Sequence, residues 1–249
     1  MYKLKSLHYS ISKYFYGMNQ IFSYNFTLNN KGIVIVMKTL RFYLVRHGKT
    51  VWNEQGLFQG SGNSPLTDDG IQGAKLTGKA LSDTPFVAAY SSTLQRTIDT
   101  ATYILTDRNV PLFQHQGLNE QSFGLWEGQS ISQLKDSLEY QQMRENPAHY
   151  KAKTNQGETY QQLASRAFNA IQDIINIHST GNILIVSHGH TLRILLGLFN
   201  GATWQNHREE GKSPALLNTS ISIVNYHQDQ HGQSVFVIES CNDVTHLTK

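Results

Sequence analysis

RFYLVRHG, residues 41–48, is an apolar strand pattern that ends in an arginine, a histidine and a glycine. NILIVSHG, residues 182–189, has the same pattern with a serine before the histidine. A third apolar run, residues 86–90, lies between them along the chain. Short apolar runs bounded by polar residues are typical of buried strands, and a helical pattern follows each of these three. This alternation predicts a mostly parallel sheet with helices on both of its faces.

The remaining patterns complete a three-layer α/β/α architecture with antiparallel strands at one edge of the sheet. Helices are expected over residues 68–81, 93–105, 158–178 and 190–199, and a hairpin over residues 219–226 and 234–240. Thr67 and Ser92 are the expected N-caps of the first two helices, because a hydroxyl there accepts hydrogen bonds from backbone N–H groups. Residues 121–157 show no sustained period, so an irregular insertion over the sheet is expected.

Residues 1–36 differ in composition from the rest of the chain. They contain four lysines, no acidic residue and eight aromatic residues, and we find no helical or strand period in them. We therefore expect an N-terminal extension over residues 1–36, either disordered or an over-extended reading frame with Met37 as the natural start. Residues 37–249 contain no repeat or low-complexity linker, so a single domain is predicted there.

Charge and composition exclude several classes of function. The formal net charge is +3, and four lysines lie in residues 1–36, which leaves −1 on the rest of the chain. A nucleic-acid partner is therefore not expected. No apolar run reaches the roughly 18–20 residues that a membrane-spanning helix needs, so no membrane partner is expected. Cys241 is the only cysteine, which excludes an intrachain disulfide and suits a reducing, cytoplasmic location.

Histidines and arginines stand where the predicted strands end. Arg46 and His47 end the strand that begins at residue 41, and His188 ends the strand that begins at residue 182. Arg96 lies one turn into the helix that follows the strand over residues 86–90. Ligands of parallel sheets bind at the carboxyl ends of the strands, so these side chains are expected to converge on one crevice. The glycine after each histidine permits a close approach, and helix N-termini add partial positive charge. The pattern predicts a pocket for a dianion, most simply phosphate.

Five segments of the chain resemble the histidine phosphatase superfamily, also called the phosphoglycerate mutase-like family. They are LVRHGKTVWN (44–53), FQGSGNSPLTDDG (58–70), YSSTLQRTIDTA (90–101), LNEQSFGLWEG (118–128) and ILIVSHGHTLRILL (183–196). The segments follow the family order and span almost all of residues 41–249. The resemblance is to the phosphatase-type branch, and it implies the phosphoglycerate mutase-like fold. It also implies hydrolysis of a small phosphorylated metabolite through a phosphohistidine, without a metal or a cofactor.

The resemblance implies roles for individual residues as well. His47 matches the histidine that becomes phosphorylated, His188 the second catalytic histidine of the phosphate pocket, and Glu120 the proton donor. The matched phosphate-binding and pocket-lining residues are Arg46, Arg96, Asn53 and Gln59. These roles agree with elementary chemistry, because a neutral imidazole is a nucleophile near pH 7 and guanidinium forks fit phosphoryl oxygens. The chain departs from the common family pattern at Lys49, Asn63 and His190.

Four functions remain open from the sequence, of which a phosphatase is the first. A cofactor-dependent phosphoglycerate mutase must hold a carboxylate tightly, and the segment after Glu120 lacks the adjacent arginine pair typical of mutases. A metallohydrolase with His188, His190 and Glu120 as ligands would place two arginines beside a dication, which is unfavourable. The fourth function is a non-enzymatic protein that binds a phosphorylated ligand. The loss of a catalytic residue would favour it, but all the catalytic residues are present.

The segment after Glu120 also bears on the choice of substrate. Phe123, Leu125 and Trp126 are expected either to line a weakly polar leaving-group site or to pack in the core. The substrate is expected to be a small phosphorylated molecule, and no pattern in the chain indicates its identity or the oligomeric state.

Overall fold

The computed structural model describes residues 9–13, 22–26 and 38–248. Strands β1 (Tyr9–Lys13) and β2 (Phe22–Phe26) pair antiparallel in a small sheet of their own. The sequence analysis missed both strands, because the alternation of apolar and polar residues lasts only five residues in each. The other residues of the predicted N-terminal extension lie outside the described residues, and the domain boundary after residue 36 stays a prediction.

A six-stranded mixed sheet forms the centre of the fold, with the strand order β5-β4-β6-β3-β7-β8. The four strands from β5 to β3 in this order are parallel, whereas β7 runs antiparallel to β3 and β8 antiparallel to β7. The predicted mostly parallel sheet with antiparallel edge strands is confirmed. The strands are β3 (Lys38–Arg46), β4 (Phe86–Ser91), β5 (Leu112–Gln114), β6 (Thr180–Ser187), β7 (Ile221–Gln228) and β8 (Ser234–Asp243).

Seven α-helices accompany this sheet within the described residues. They are α1 (Val51–Glu54), α2 (Asp68–Ala80), α3 (Gln95–Ile104), α4 (Ile131–Leu134), α5 (Leu138–Glu145), α6 (Tyr160–Ile177) and α7 (Gly189–Phe199). The predicted helices correspond to α2, α3, α6 and α7. The other three are too short to produce a clear helical period in the sequence. Over the part of the chain that the structure describes, no helix combines the length and apolar character needed to cross a membrane.

Strand β3 divides its side chains between the two faces of the sheet. Leu40, Phe42 and Leu44 belong to the apolar cluster that contains the buried faces of α6 and α7. Tyr43 and Val45 belong to the cluster that contains the buried faces of α2 and α3. Successive side chains of a strand point to opposite faces, so this partition produces the three predicted layers.

The starts of two helices test the predicted N-caps. Thr67 caps α2, because its hydroxyl accepts a hydrogen bond of 3.1 Å from the Gly70 N–H group. Ser92 does not cap α3, which begins at Gln95 after Leu94. The Ser92 hydroxyl instead hydrogen-bonds with Nε2 of the buried His188 over 2.7 Å. The side chain predicted to cap a helix therefore contacts a histidine.

Residues 121–157 are more regular than their sequence indicates. They contain α4 and α5, and their buried side chains form a third apolar cluster with the first turns of α6. The aromatic and sulfur side chains of this cluster include Phe58, Phe123, Trp126, Met143, Tyr150 and Tyr160. This insertion is therefore anchored by its own small core.

The loop after β3 is held against the helices on one face of the sheet. A Cβ atom at Gly70 would lie 2.1 Å from the Lys49 carbonyl oxygen, and one at Gly48 would lie 2.6 Å from the Gly70 carbonyl oxygen. Neither position therefore tolerates a side chain without a backbone shift. The Gly48 N–H group also donates to Thr100 Oγ1 of α3 over 2.9 Å. These contacts fix the backbone that carries His47.

Candidate active site

A cavity of about 210 Å³ opens at the carboxyl ends of β3, β4 and β6. Six of the seven predicted site residues line it: Arg46, His47, Asn53, Gln59, Arg96 and Glu120. The seventh, His188, is fully buried beside His47, and the centroids of the two rings are 5.1 Å apart. The expected convergence of residues from three strand ends is therefore present in the fold.

His47 carries its proton on Nδ1 and leaves Nε2 free. Nδ1 lies 2.8 Å from the Gly48 carbonyl oxygen, and a carbonyl can only accept, so Nδ1–H is the donor. Burial lowers the pKa of His47 well below its ordinary value, and the positive charges of Arg96 and Arg46 lower it further. The ring is therefore neutral near pH 7, with the Nε2 lone pair in the form that attacks electrophiles.

His188 is held by the residue that follows β4. Its Nε2 atom hydrogen-bonds with Ser92 Oγ over 2.7 Å, and Ser92 Oγ in turn contacts Thr97 Oγ1 over 2.7 Å. Burial lowers the pKa of His188 well below its ordinary value, with the charge of Arg96 as the next cause. The Nδ1 atom is buried and has no hydrogen-bond partner. A polar atom left in this way has capacity to bond a ligand.

Arg46 and Arg96 are each fixed by carbonyl oxygens. Arg46 donates from Nη1 to the Leu216 carbonyl over 2.7 Å. Arg96 donates from Nη1 and Nη2 to the carbonyls of Gly62 and Gly60, each over 2.7 Å. The Nε–H groups of both arginines are buried and have no hydrogen-bond partner among the described residues. The two guanidinium groups are thus oriented in advance and keep unused donors, which suits an anion.

Asn53 and Gln59 take different positions in the cavity. Asn53 belongs to the capping box of α1, and its Oδ1 accepts from the Thr50 N–H group and from Asn218 Nδ2. Asn218 Nδ2 also donates to the His47 carbonyl over 2.9 Å, so it ties α1 to the end of β3. The Gln59 side chain is buried, and its Oε1 has no partner. No sequence pattern indicates a role for Asn218, which reaches the site from the segment before β7.

Glu120 stands at the N-terminus of α7. Its Oε1 accepts hydrogen bonds from the backbone N–H groups of Gln121 and Thr191, at 2.9 and 3.2 Å. Its Oε2 accepts only from the His190 N–H group, at 3.2 Å. Because Oε1 is held by the protein and Oε2 is less engaged, Oε2 is the oxygen better able to exchange a proton with a ligand.

Arg166 of α6 fixes the segment that carries Glu120. Its guanidinium donates to the carbonyl oxygens of Gly117, Asn119 and Glu120 over 2.8–2.9 Å. It also forms a two-pronged ion pair with Glu158, with distances of 2.6 and 2.7 Å. All its donor groups are thereby used. Sequence reasoning missed Arg166, because nothing in the helical pattern of α6 distinguishes it from a solvent-exposed arginine.

The cavity continues past Glu120 to a second group of cations. Arg144 at the end of α5, Arg193 of α7 and Arg208 after α7 all line it. Among the described residues, the lining thus contains five arginines and one carboxylate, that of Glu120. The sequence contains no adjacent arginine pair after Glu120, and its pattern does not predict that these three arginines line one cavity, because they come from separate segments.

The proposed weakly polar leaving-group site is only partly formed. Phe123 lines the cavity, whereas Leu125 is exposed to solvent away from it and Trp126 packs in the core of the insertion. Of the two positions expected for these side chains, Phe123 takes the first and Trp126 the second, whereas the exposed Leu125 takes neither. The short 3₁₀ turn over Gly124–Trp126 directs successive side chains to different sides.

The metal-site hypothesis groups His188, His190 and Glu120, and each of these side chains has other partners. His188 bonds with Ser92, His190 Nδ1 lies 2.6 Å from Gln121 Oε1, and Glu120 accepts from backbone N–H groups. Across residues 38–248, no three His, Cys, Asp or Glu side chains are arranged to hold a metal ion.

Buried neutral histidines should make the stability of the fold depend on pH. Burial lowers the pKa values of His47 and His188 well below 6.5 and that of His207 to about 3. Below about pH 6.5 the unfolded chain binds protons that the folded chain does not, so the free energy of unfolding falls as the pH falls. Each histidine contributes up to about 1.4 kcal/mol per pH unit in this range.

Urea unfolding in phosphate-free buffers at about pH 7.5, 6.5 and 5.5 measures this slope. The variant His207→Gln should show a shallower slope than the unchanged chain. His231→Gln, at an exposed position in the turn between β7 and β8, should show the same slope as the unchanged chain. A free energy of unfolding that stays constant between pH 7.5 and 5.5 would contradict the assignment of these histidines as buried and neutral.

The chain is similar to known proteins over most of its length. The histidine phosphatase superfamily (branch 1) matches residues 42–239. A probable phosphoglycerate mutase, GpmB of Yersinia pestis (strain Pestoides F), is 31% identical over 208 residues, which cover 84% of this chain and 95% of the relative. Bacillus stearothermophilus YhfR superposes with a TM-score of 0.76 at 31% identity, covering 84% of this chain and 100% of that one.

A second solved structure is also similar to this chain. It is a putative alpha-ribazole-5'-P phosphatase from Escherichia coli str. K-12 substr. MG1655, with a TM-score of 0.71 and 27% identity. The superposition covers 82% of this chain and 96% of that one. The chain belongs to the histidine phosphatase superfamily, as shown by the family match over residues 42–239, the phosphoglycerate mutase-like fold and the five matched segments.

Proposed function

We propose that the chain is a phosphatase that hydrolyses a small phosphorylated metabolite through a phosphohistidine on His47, with Glu120 as the proton donor. One observation carries the proposal. The unprotonated Nε2 atom of His47 shares a cavity with two guanidinium groups whose Nε–H donors are unpaired. Phosphoryl transfer requires mainly positioning and charge stabilisation, and this arrangement supplies both.

The phosphoryl group would bind at the inner end of the cavity. Arg46 and Arg96 offer buried Nε–H donors to its oxygens, and these donors need no reorganisation because the Nη groups are already fixed. His188 adds a buried ring nitrogen without a partner. Donors arranged before the reaction stabilise the charge of the transition state more than mobile ones do.

In the first step, His47 Nε2 attacks the phosphorus atom and the P–O bond to the leaving group breaks. The departing alkoxide takes a proton from the Glu120 carboxylic acid, for which Oε2 is the less engaged oxygen. His47 then carries the phosphoryl group on Nε2, while Nδ1–H keeps its hydrogen bond with the Gly48 carbonyl.

In the second step, the Glu120 carboxylate takes a proton from a water molecule whose oxygen attacks the phosphorus atom. The P–N bond breaks, phosphate leaves, and His47 returns to its neutral form with Glu120 protonated again. The covalent intermediate divides one difficult displacement into two easier ones. Arg166 acts indirectly, by holding the backbone of Glu120 through three carbonyl contacts.

A phosphoglycerate mutase is the second candidate, because two observations favour it. The Yersinia relative is named a probable phosphoglycerate mutase, and the outer cations of the cavity suit a substrate carboxylate. The Escherichia coli structure, in contrast, is named a phosphatase. Both reactions form the same phosphohistidine and differ in whether water or a substrate hydroxyl receives the phosphoryl group.

Removal of the nucleophile should abolish the reaction. We expect His47→Ala to lower kcat/KM for an aryl phosphate by about 10⁴-fold or more. Arg46→Ala and Arg96→Ala should each lower it by about 10²-fold, because each removes one prearranged donor.

Released inorganic phosphate measures the rates, and thermal unfolding confirms that the variants fold. His231→Ala, at an exposed position outside the cavity, serves as the matched histidine control. A folded His47→Ala protein with a near-normal rate would exclude the mechanism.

The ratio of two activities separates the two candidates. We expect phosphate release from several organic phosphates, and only weak interconversion of 2- and 3-phosphoglycerate even when 2,3-bisphosphoglycerate is present. The measurement is the ratio of mutase to phosphatase kcat/KM on one preparation of the full chain. A ratio far above one would contradict the phosphatase assignment and favour a mutase, and the role of His47 would be the same in both.

A further inference from the structure

Two side chains hold the peptide group between His47 and Gly48, one at its carbonyl and one at its N–H. Asn218 Nδ2 donates to the His47 carbonyl oxygen over 2.9 Å. The Gly48 N–H group of the same peptide donates to Thr100 Oγ1 over 2.9 Å. The backbone of β3 before this peptide pairs instead with the backbones of β6 and β7. Side chains therefore replace the strand ladder at the point where the nucleophile leaves the sheet.

This peptide group sets the direction of the His47 ring. The His47 N–H group is bonded to the Ser187 carbonyl over 2.9 Å, and the ring Nδ1–H donates to the Gly48 carbonyl over 2.8 Å. A rotation of the peptide between His47 and Gly48 would move the Gly48 carbonyl, and the ring would turn with it. Phosphoryl transfer needs the attacking atom, the phosphorus atom and the leaving oxygen nearly in line, so such a rotation would slow the reaction.

Thr100 connects this peptide to a phosphate-binding arginine. The Thr100 side chain is fully buried. Its hydroxyl donates its one proton to the Arg96 carbonyl over 2.6 Å, which leaves a lone pair to accept from the Gly48 N–H group. The hydroxyl thus links the backbone of the nucleophile to the backbone of Arg96, whose guanidinium is itself fixed by two carbonyls.

Asn218 connects the same peptide to Asn53. Asn218 Nδ2 also donates to Asn53 Oδ1 over 3.3 Å, and the Thr50 N–H group donates to that oxygen over 3.2 Å. Because Oδ1 accepts both bonds, the Nδ2 donors of Asn53 remain available to a ligand in the cavity that Asn53 lines. Asn218 therefore holds both the nucleophile and a donor of the pocket.

The backbone is strained directly after Asn218. Thr219 has a φ angle of 57°, in the left-handed region that β-branched residues rarely adopt. Its N–H group donates to the Arg46 carbonyl over 2.9 Å, so residues 218 and 219 bind successive carbonyls at the end of β3. A strained conformation persists where surrounding contacts hold it, and such positions cluster at functional sites.

We propose that Asn218 and Thr100 are positioning residues that direct His47 Nε2 toward the phosphorus atom of the substrate. The proposal rests on the proposed function. In the described chain neither side chain is among the residues that line the cavity, so each acts through the backbone of His47. Losing either contact should slow the attack of His47 while inorganic phosphate still binds between the arginines.

The experiment compares the rate of attack with the binding of phosphate. For Thr100→Val and Asn218→Ala we expect kcat/KM for an aryl phosphate to fall by about tenfold, the effect of one lost hydrogen bond. The inhibition constant for inorganic phosphate should rise by less than about threefold, because the arginines stay in place. Thr100→Ser should restore the rate, since a serine hydroxyl can make the same two contacts.

Matched variants separate positioning from a general effect on the fold. Thr102 is exposed on the same helix, and its hydroxyl donates to the Ile98 carbonyl four residues earlier over 2.9 Å, as Thr100 does in its own turn. Thr102→Val should leave kcat/KM unchanged. Asn182→Ala should also leave it unchanged, because the Asn182 amide donates to the Pro85 carbonyl near the amino end of β6.

A double variant tests whether the two contacts act on one peptide group. Loss of either contact frees this peptide, so the second loss should add little. We expect the double variant with Thr100→Val and Asn218→Ala to lower kcat/KM by less than the product of the two single effects. A full product would indicate two independent effects and would overturn the shared role.

The remaining outcomes distinguish this proposal from the proposed function. A folded Asn218→Ala protein with kcat/KM within about twofold of the unchanged chain would overturn the positioning role. A rise in the inhibition constant as large as the fall in kcat/KM would also overturn it, because the loss would then lie in phosphate binding. Asn218 is half-buried in a loop, so its variant decides the question even if Thr100→Val does not fold. A fully active, folded His47→Ala protein would instead contradict the proposed function.

Discussion

The parallel pairing of β3 with β6 is the constraint on which the site depends. The register aligns Arg46 with Ser187, and the His47 N–H group donates to the Ser187 carbonyl over 2.9 Å. His47 and His188 therefore leave the sheet at the same height, with ring centroids 5.1 Å apart. A slip of one residue would turn the core face of β3 toward the wrong helices. The hydrophobic core thus enforces the register that places the two rings together.

Burial and nearby positive charge both lower the pKa values of His47 and His188. The loss of water around the ring lowers the pKa of His47, and the nearby arginines lower it further. A neutral nucleophile can therefore persist beside two guanidinium groups, and the excess positive charge is balanced only when an anion binds. The cavity thus combines a neutral nucleophile with a cationic lining, with Glu120 as the one carboxylate among the described lining residues. This is the charge distribution expected for a site that binds phosphoryl groups.

The sequence predicted what depends on local pattern, and it missed what depends on distant contacts. Strands β3, β4 and β6 and helices α2, α6 and α7 have strong apolar periods, so their existence could be predicted within a few residues. Arg46, His47 and Arg96 line the cavity because strand ends converge in a parallel sheet, whereas Asn53, Gln59 and Glu120, which line it too, were predicted only from the family resemblance. Asn218, Arg166 and Arg208 reach the site from other segments, and an arginine or asparagine has no local pattern that distinguishes a buried role from a solvated one. Ser92 shows the same limit, since its side chain serves His188 instead of the predicted helix cap.

The proposed transfer of the phosphoryl group to His47 can be observed in a rapid-quench experiment with a substrate labelled in its phosphoryl group. The full chain is mixed with the substrate, stopped in alkali within the first turnover, digested and mapped. If His47 is the nucleophile, a base-stable, acid-labile label appears on the peptide that contains His47 before free phosphate forms, and it is absent from His47→Ala. Label on the peptide that contains His188, or turnover without any labelled protein at every quench time, would contradict it.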